Sequence, residues 1–131
     1  MVEKFNNATP QRPEGARPLD STLVPVDLPK YIHQLKQEDA YDKNGKNAIT
    51  VFKSDKVTIT LIALKEGQNF HPGQNEETAV MSIYLIKGQL SFESLGQVAT
   101  IKEYELITLH QQLSFNASAI VDCICLLTLF K

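Results

Sequence analysis

Residues 81–92 read MSIYLIKGQLSF, and this stretch decides the predicted fold. Every second residue from Met81 to Leu85 is apolar, which is the pattern of a β-strand that buries one of its faces. Lys87-Gly88-Gln89 then interrupts the alternation with a turn signal, and the same alternation resumes after it. The stretch therefore predicts a β-hairpin with one apolar face.

Short segments with the same period of two surround this hairpin. Turn-forming residues separate them, as in the loop from Gly67 to Gly73 and at Leu95-Gly96-Gln97. The predicted strands are residues 48–53, 57–64, 78–87, 89–94, 97–102, 105–110, 113–117 and 119–130. Strands of this length and spacing indicate an all-β fold, a closed barrel or a double-sheet jelly roll that buries its strand edges. An immunoglobulin-like sandwich is the alternative, although the chain has no Trp and lacks the Cys, Trp, Cys spacing of that fold.

The first part of the chain has a different composition. Residues 1–20 contain Pro10, Pro13, Gly15 and Pro18 and show little apolar periodicity. We therefore expect an N-terminal arm there, extended or disordered, and a barrel domain over residues 21–131.

One short helix is predicted between the arm and the strands. Asp27 fits an N-cap, and apolar residues repeat with helical spacing from Leu28 to Leu35. The helix should end near Glu38, and Asn44-Gly45 then predicts a turn.

Size and composition point to one globular domain. The chain has 131 residues, of which 43% are hydrophobic and 21% are charged. Its 13 Lys and Arg against 15 Asp and Glu give a formal net charge of -2, which provides no strong attraction to nucleic acid or anionic membranes. The sequence has neither a membrane-spanning apolar stretch nor a secretory signal pattern, so we expect a cytoplasmic protein without nucleic-acid or membrane partners.

The two cysteines, Cys123 and Cys125, lie in an apolar segment. On a strand their side chains would leave the same face about 6.8 Å apart, which is too far for a disulfide. A Cys-x-Cys pair also occurs in metal sites, but the apolar neighbours favour two small buried core residues.

Residues 57–130 resemble a small single-domain cupin of the RmlC-like jelly-roll type. The strand, Gly88 turn and return strand within residues 81–92 match the layout of that family, and Gly67 falls at the first glycine of its motif. The resemblance implies a cupin-like double-stranded β-helix, with the predicted short helix on its N-terminal side.

Other residue types occupy the family's metal-binding positions. Met81 stands where the family has a glutamate, and Phe115 stands where it has its last histidine. Residues 73–77 correspond to its paired histidines but contain none, and His71 is nearby but out of register. The resemblance therefore implies degenerate metal-binding motifs, and we expect no metal and no cofactor.

Under this resemblance, the region that holds the family's metal becomes an apolar pocket with a mouth near His71. The predicted ligand-binding residues are Phe70, His71, Met81, Ile83, Tyr84 and Phe115. Ser82 and Gln112 are further candidates for polar contacts with a ligand. A small barrel either holds one small ligand or is filled by its own side chains, and the sequence leaves both open.

Three functions fit this interpretation. The first is binding of a small molecule in the barrel without a metal. The second is an isomerase- or dioxygenase-like enzyme that uses His71 or His110, either without metal or with a relocated metal held by His71 with Glu76 or Glu77. The third is a structural or regulatory homodimer with a filled barrel.

The segment from Leu23 to Val26 bears on self-association. The resemblance to small cupin-like barrels implies a homodimer. This apolar segment could add as a strand to the sheet edge of a partner by backbone pairing. We therefore expect a homodimer, with a disordered tail over residues 1–18 as the alternative.

Overall fold

The computed structural model of the protein describes residues 2–71, 79–110 and 114–131. Within these ranges the chain forms two helices and eleven short strands. In chain order the elements are β1 Lys4–Asn6, β2 Arg17–Asp20, α1 Leu28–Gln37, α2 Asp39–Asn44, β3 Lys46–Lys53, β4 Val57–Leu64, β5 Asn69–Phe70, β6 Val80–Lys87, β7 Gln89–Ser94, β8 Gln97–Lys102, β9 Leu106–His110, β10 Asn116–Ala119 and β11 Cys123–Phe130.

Two antiparallel sheets form the body of the molecule. One sheet has five strands in the order β3-β4-β11-β6-β9, and the other has four strands in the order β5-β10-β7-β8. The two strands predicted over residues 81–92 are β6 and β7, but the predicted hairpin pairing is wrong, because β6 belongs to the first sheet and β7 to the second. The turn at Gly88 instead carries the chain from one sheet to the other. Residues from both sheets share one apolar cluster between them, so the predicted all-β jelly-roll fold is confirmed.

The barrel interior is this shared cluster, and strand alternation builds it. On β6, Met81, Ile83 and Leu85 are buried in the cluster, while the residues between them are only half-buried on the outer face. The buried residues of the barrel interior are Ile62, Leu64, Met81, Ile83, Leu85, Leu90, Phe92, Ile101, Leu109, Phe115, Ala117, Ala119, Cys123, Cys125 and Leu127.

The turn between β6 and β7 requires a glycine. Gly88 has a φ of 98°, which side chains with a Cβ atom rarely adopt. A Cβ atom at this position would overlap the carbonyl oxygen of Asp122 and would lie 2.9 Å from Sγ of Cys123. The glycine therefore allows the connection between β10 and β11 to approach the turn between β6 and β7 closely.

The helices cover part of the outer face of the five-stranded sheet. α1 packs on β3 and β4, and its predicted N-cap is confirmed, because Oδ1 of Asp27 accepts a hydrogen bond from the backbone N–H of Lys30 at 3.1 Å. The buried residues of this outer cluster are Leu35, Tyr41, Ile49, Val51, Leu61, Ala63 and Ile124. Neither helix of the described chain is long and apolar enough to cross a membrane.

α2 is an addition to the predicted fold. Its six residues are too few to show a helical apolar repeat, so the sequence predicts only the turn at Asn44-Gly45. In the structure Gly45 has a φ of 74° and forms the C-terminal cap of α2.

The strand positions follow the prediction, with differences at strand ends. The predicted segments 113–117 and 119–130 correspond to β10 and β11, and a turn over residues 120–122 separates them. The backbone N–H of Ile120 donates to the carbonyl oxygen of Gln89 at 3.0 Å, which ties this turn to the start of β7. β5 is a two-residue strand within the region predicted as a loop, while residues 78 and 113 lie outside the described residues.

The N-terminal region forms a hairpin of β1 and β2 that lies against β3. The expectation for residues 1–20 is an extended or disordered arm, and the described part of it is extended and paired with itself. Arg12 and Arg17 extend from this arm to β3. The domain boundary at residue 20 and the homodimer stay predictions.

Candidate ligand site at one end of the barrel

One end of the barrel brings together four strand ends from both sheets. β5 ends at Phe70, β6 begins at Val80, β9 ends at His110, and β10 begins just after Phe115. Two pairings align these strand ends, since Met81 is opposite Leu109 on β9, and Phe70 is opposite Ala117 on β10. Side chains that are up to 45 positions apart in sequence therefore meet at this end.

Three phenylalanine rings form an array at this end. The ring centroids of Phe70 and Phe115 are 6.1 Å apart with an interplanar angle of 88°, which is an edge-to-face contact. The other neighbour of Phe115 is Phe92, stacked at 4.8 Å and 27°. Phe115 and Phe92 are buried, whereas Phe70 is half-buried and packs against the interior from its rim.

The structure brings four of the predicted ligand-binding residues into one cluster. Met81 and Phe115 retain 4% and 6% of their exposure, Ile83 is fully buried, and Phe70 packs against them. Tyr84 lies on the opposite face of β6, where it pairs with Leu126 and Leu106, because successive residues of a strand alternate in direction. Ser82 shares that outer face, while Gln112 lies outside the described residues.

Two histidines are placed at the rim of this end. His71 directly follows β5 and is exposed, and His110 is the exposed last residue of β9, opposite Val80. Neither imidazole hydrogen-bonds to a residue in the described part of the chain, so nothing there orients either one as a general acid or base. His33, on α1, is also exposed.

The described residues at this end do not suit a divalent metal ion. Such an ion needs three or four oxygen, nitrogen or thiolate donors that converge on one point. Met81 and Phe115 instead contribute a thioether and a ring, and within residues 2–71, 79–110 and 114–131 no three His, Cys, Asp or Glu side chains converge. Glu76 and Glu77, the predicted partners of His71 in a relocated site, lie outside these ranges.

The cysteines are core residues, as predicted. Both thiols are free and buried, and Sγ of Cys123 donates hydrogen bonds to the carbonyl oxygens of Gln89 and Val121 at 2.9 and 3.1 Å. Burial raises the pKa of Cys125 to about 12, and burial also raises the pKa of Cys123. Both groups are therefore protonated near neutral pH and are poor nucleophiles or metal ligands.

The opposite end of the barrel carries an open cleft of about 500 Å³ that the sequence does not predict. It is lined by Glu66, Lys87, Gly88, Glu103, Val121 and Asp122. Two of its carboxylates hold turns in place, because Asp122 Oδ1 accepts from the N–H of Glu66 at 2.8 Å and Glu103 Oε1 accepts from the N–H of Gly88 at 3.2 Å. The carboxylates of Asp122 and Glu103 therefore stabilise the turns that surround the cleft.

A polar seam joins the arm to the outer face of the molecule, and it too is absent from the sequence prediction. Arg12 forms an ion pair with Glu38 at 2.9 Å, and Asn47 donates to the same carboxylate at 2.9 Å. Burial by itself would raise the pKa of Glu38, but hydrogen bonds from Arg12, Asn47 and Gln34, with the charge of Arg12, hold it below its usual value. The only sequence signal for this seam is that the chain's two arginines, at positions 12 and 17, both fall in a segment of otherwise arm-like composition.

Comparisons with known proteins find similarity in structure and not in sequence. No protein-family model matches the sequence, and a search of curated proteins gives no match. A cupin superfamily protein from Desulfitobacterium hafniense is similar over 86% of this chain and 94% of its own, with a TM-score of 0.65 and 12% identity. An RmlC-like cupin protein from Desulfovibrio desulfuricans is similar over 72% and 90%, with a TM-score of 0.63 and 17% identity.

A third similar structure is the Cupin_2 domain of an XRE family transcriptional regulator from Enterobacter cloacae. The likeness covers 66% of this chain and 97% of that domain, with a TM-score of 0.61 and 13% identity. Structural similarity at identities this low shows the fold alone. The activity has to be argued from the chemistry of the site.

Proposed function

We propose that this cupin-fold protein binds a small molecule with an apolar body at the barrel end formed by Phe70, Met81 and Phe115. The observation that carries the proposal is the array of aromatic rings at this end, with one ring half-buried and the others beneath it. Ligand sites are concave and mostly apolar, with few polar groups that fix the orientation of the ligand.

The rim supports a ligand with one acidic or hydroxyl group. His71 follows Phe70 directly, and His110 precedes Phe115 by five positions. Both histidines therefore lie at the same barrel end as the phenylalanine rings. An imidazole N–H donates a hydrogen bond to a carboxylate or hydroxyl oxygen. A small aromatic or aliphatic carboxylic acid therefore suits this end, because its apolar body would pack on the rings and its carboxylate would accept hydrogen bonds from the histidines.

The packing supports a shallow binding position. Ile83, Leu85 and Leu90, deeper in the barrel, are fully buried in the interior, which leaves the ligand to bind against Met81 and Phe115. Phe70 would then form one wall of the site, because its ring is the partly accessible member of the array.

Met81 provides a reporter for the test. The chain contains two methionines, Met1 and Met81, so labelling with ¹³C-methyl methionine gives one NMR signal from the site and one from the N-terminus. We expect titration with phenylacetate, and less strongly with indole or hexanoate, to shift the Met81 signal saturably and to leave the Met1 signal in place.

Two conservative variants locate the site. Phe70→Leu should weaken phenylacetate binding by about tenfold, because it removes the half-buried ring. Tyr84→Phe should leave the affinity unchanged, since Tyr84 lies on the outer face of β6. A Met81 signal that shows no saturable shift with any of the three probes in the folded protein would contradict the proposal.

A closed barrel with a structural or regulatory role is the second candidate. The full burial of Ile83, Leu85 and Leu90 favours it, because a small barrel filled by its own side chains has no room for a ligand. The same titration separates the two candidates, since a closed barrel leaves the Met81 signal unmoved.

A further inference from the structure

Among the described strands, β3 forms one edge of the five-stranded sheet and pairs only with β4. An edge strand presents unpaired N–H and C=O groups that are able to pair with a strand of another molecule. Residues 48–52 of β3 read AITVF, an uncharged and β-branched run of the type that adds readily to other strands. β3 is therefore an edge that a folded protein needs to protect.

The two arginines of the arm occupy this edge. Nη2 of Arg12 donates to the carbonyl oxygen of Ala48 at 2.8 Å, and Nε of Arg17 donates to the carbonyl oxygen of Thr50 at 2.8 Å. Ala48 and Thr50 are two residues apart, so their backbone groups point to the same side of the strand. The N–H of Ala48 is also engaged, because it donates to Oδ1 of Asn47 at 3.0 Å.

Other contacts hold both guanidinium groups in place. Arg12 donates through Nε and Nη2 to the carboxylate of Glu38, at distances from 2.9 to 3.1 Å. Nη1 of Arg17 donates to the carbonyl oxygen of Gly15 at 2.7 Å. A guanidinium has five N–H donors in a fixed plane, which lets it bind a carbonyl on the strand and a second acceptor at once. These two are the only arginines in the chain.

We propose that residues 12–17 guard the edge of β3 and prevent it from pairing with β3 of a second copy of this chain. Strand pairing is made by backbone hydrogen bonds, so β3 is able to pair with an identical strand. Two copies of this eight-residue edge would pair antiparallel about a twofold axis, which makes a second copy of the chain the partner. The arm gives up hydrogen bonds to β3 when it detaches, and a neighbouring β3 supplies their replacements.

The test compares the full chain with two double variants in sedimentation velocity over a range of protein concentrations. R12Q/R17Q removes two positive charges and replaces the guanidinium groups that bind Ala48 and Thr50 with shorter amides that do not reach as far. K4Q/K65Q is the matched control, because it also removes two positive charges, while the ammonium groups of Lys4 and Lys65 pair with Asp55 and Asp42 and not with the backbone of β3.

We expect R12Q/R17Q to form larger species than the wild type, with a self-association constant higher by about tenfold or more, while K4Q/K65Q matches the wild type. Hydrogen exchange followed by mass spectrometry should show that exchange within residues 46–53 of R12Q/R17Q slows as the protein concentration rises. Equal sedimentation of both folded double variants, or association without slower exchange in residues 46–53, would overturn the proposal.

The single variant R12Q carries the test if R12Q/R17Q loses its cooperative thermal transition. The Arg12 contact with Ala48 lies at an exposed position, so its removal leaves the buried side chain of Arg17 in place. We then expect a smaller rise in self-association with the same slowing of exchange, and a folded R12Q that sediments like the wild type at every concentration would overturn the proposal.

Discussion

The barrel interior and the arm seam hold the same five-stranded sheet by opposite means. The interior packs hydrocarbon, rings and two thiols, and strand residues from position 62 to position 127 contribute to it. The seam consists of Arg12, Glu38 and Asn47, joined by directional hydrogen bonds. Apolar packing depends on volume and is indifferent to pH, whereas the seam depends on charge and geometry. The two regions should therefore respond differently to the same kinds of change.

The largest effect is expected inside the barrel. Ile83→Ala removes a fully buried side chain and should lower the free energy of unfolding by about 3–4 kcal/mol, through lost transfer energy and the cavity left behind. Leu106→Ala is the control, because Leu106 lies on the neighbouring strand but is more than half exposed, and it should cost less than about 1 kcal/mol. Urea denaturation measures both, and equal losses would show that the interior is loosely packed.

Gly88 tests the close approach at the end of the barrel. Gly88→Ala combines an unfavourable φ with a collision against the backbone of Asp122 and should cost about 3 kcal/mol. Gly96→Ala is the matched control, because Gly96 has a φ of 75° with open space around its Cβ position, and it should cost about 1 kcal/mol. A cost at Gly88 no greater than that at Gly96 would mean that the turn yields without strain.

The seam should show a smaller loss. Glu38→Gln leaves Arg12 facing a neutral partner, where the two side chains are 13% and 22% exposed, and should lower the free energy of unfolding by about 2 kcal/mol. Asp42→Asn removes the exposed pair with Lys65 and should cost less than about 0.5 kcal/mol. Thermal and urea denaturation at pH 7 compare the two, and an equal small loss would reduce the seam to an ordinary surface contact.

The pH dependence should distinguish the seam from the interior. The pKa of Glu38 is held below its ordinary value of 4.5, so its ionised form favours the folded state. This contribution is fully present above pH 4.5 and is lost as the pH falls through the lower folded-state pKa. The stability gap between the wild type and Glu38→Gln should therefore stay constant from pH 7 to pH 6 and shrink below pH 4.5, while the gap to Ile83→Ala should not follow this profile.

Arg17, the second arginine of the arm, lies outside the seam and is buried. Burial lowers the pKa of Arg17, and the nearby charge of Arg12 lowers it further. A guanidinium nevertheless keeps its charge in proteins, so its burial is compensated by hydrogen bonds to the carbonyl oxygens of Gly15 and Thr50.

Sequence periodicity predicted the interior well because apolar residues recur at every second position on the buried face of a strand. Met81, Ile83 and Leu85 alternate along β6, and the same alternation assigns Tyr84 to the opposite face, which the predicted ligand-binding set did not take into account. The rings of Phe70 and Phe115 meet only through the pairing of β5 with β10, which no local pattern encodes. Four residues of the predicted set thus lie in one cluster, while their role as a ligand site stays a proposal.

The sequence by itself determined the all-β class, the positions of most strands, the first helix and the turn at Gly88, because each depends on neighbours within a few residues. Only the tertiary structure decided which rings meet at the barrel end and where the two arginines bind. Those contacts join residues far apart in the chain, and the hydrogen bonds of a guanidinium to a backbone carbonyl leave no periodic trace in the sequence.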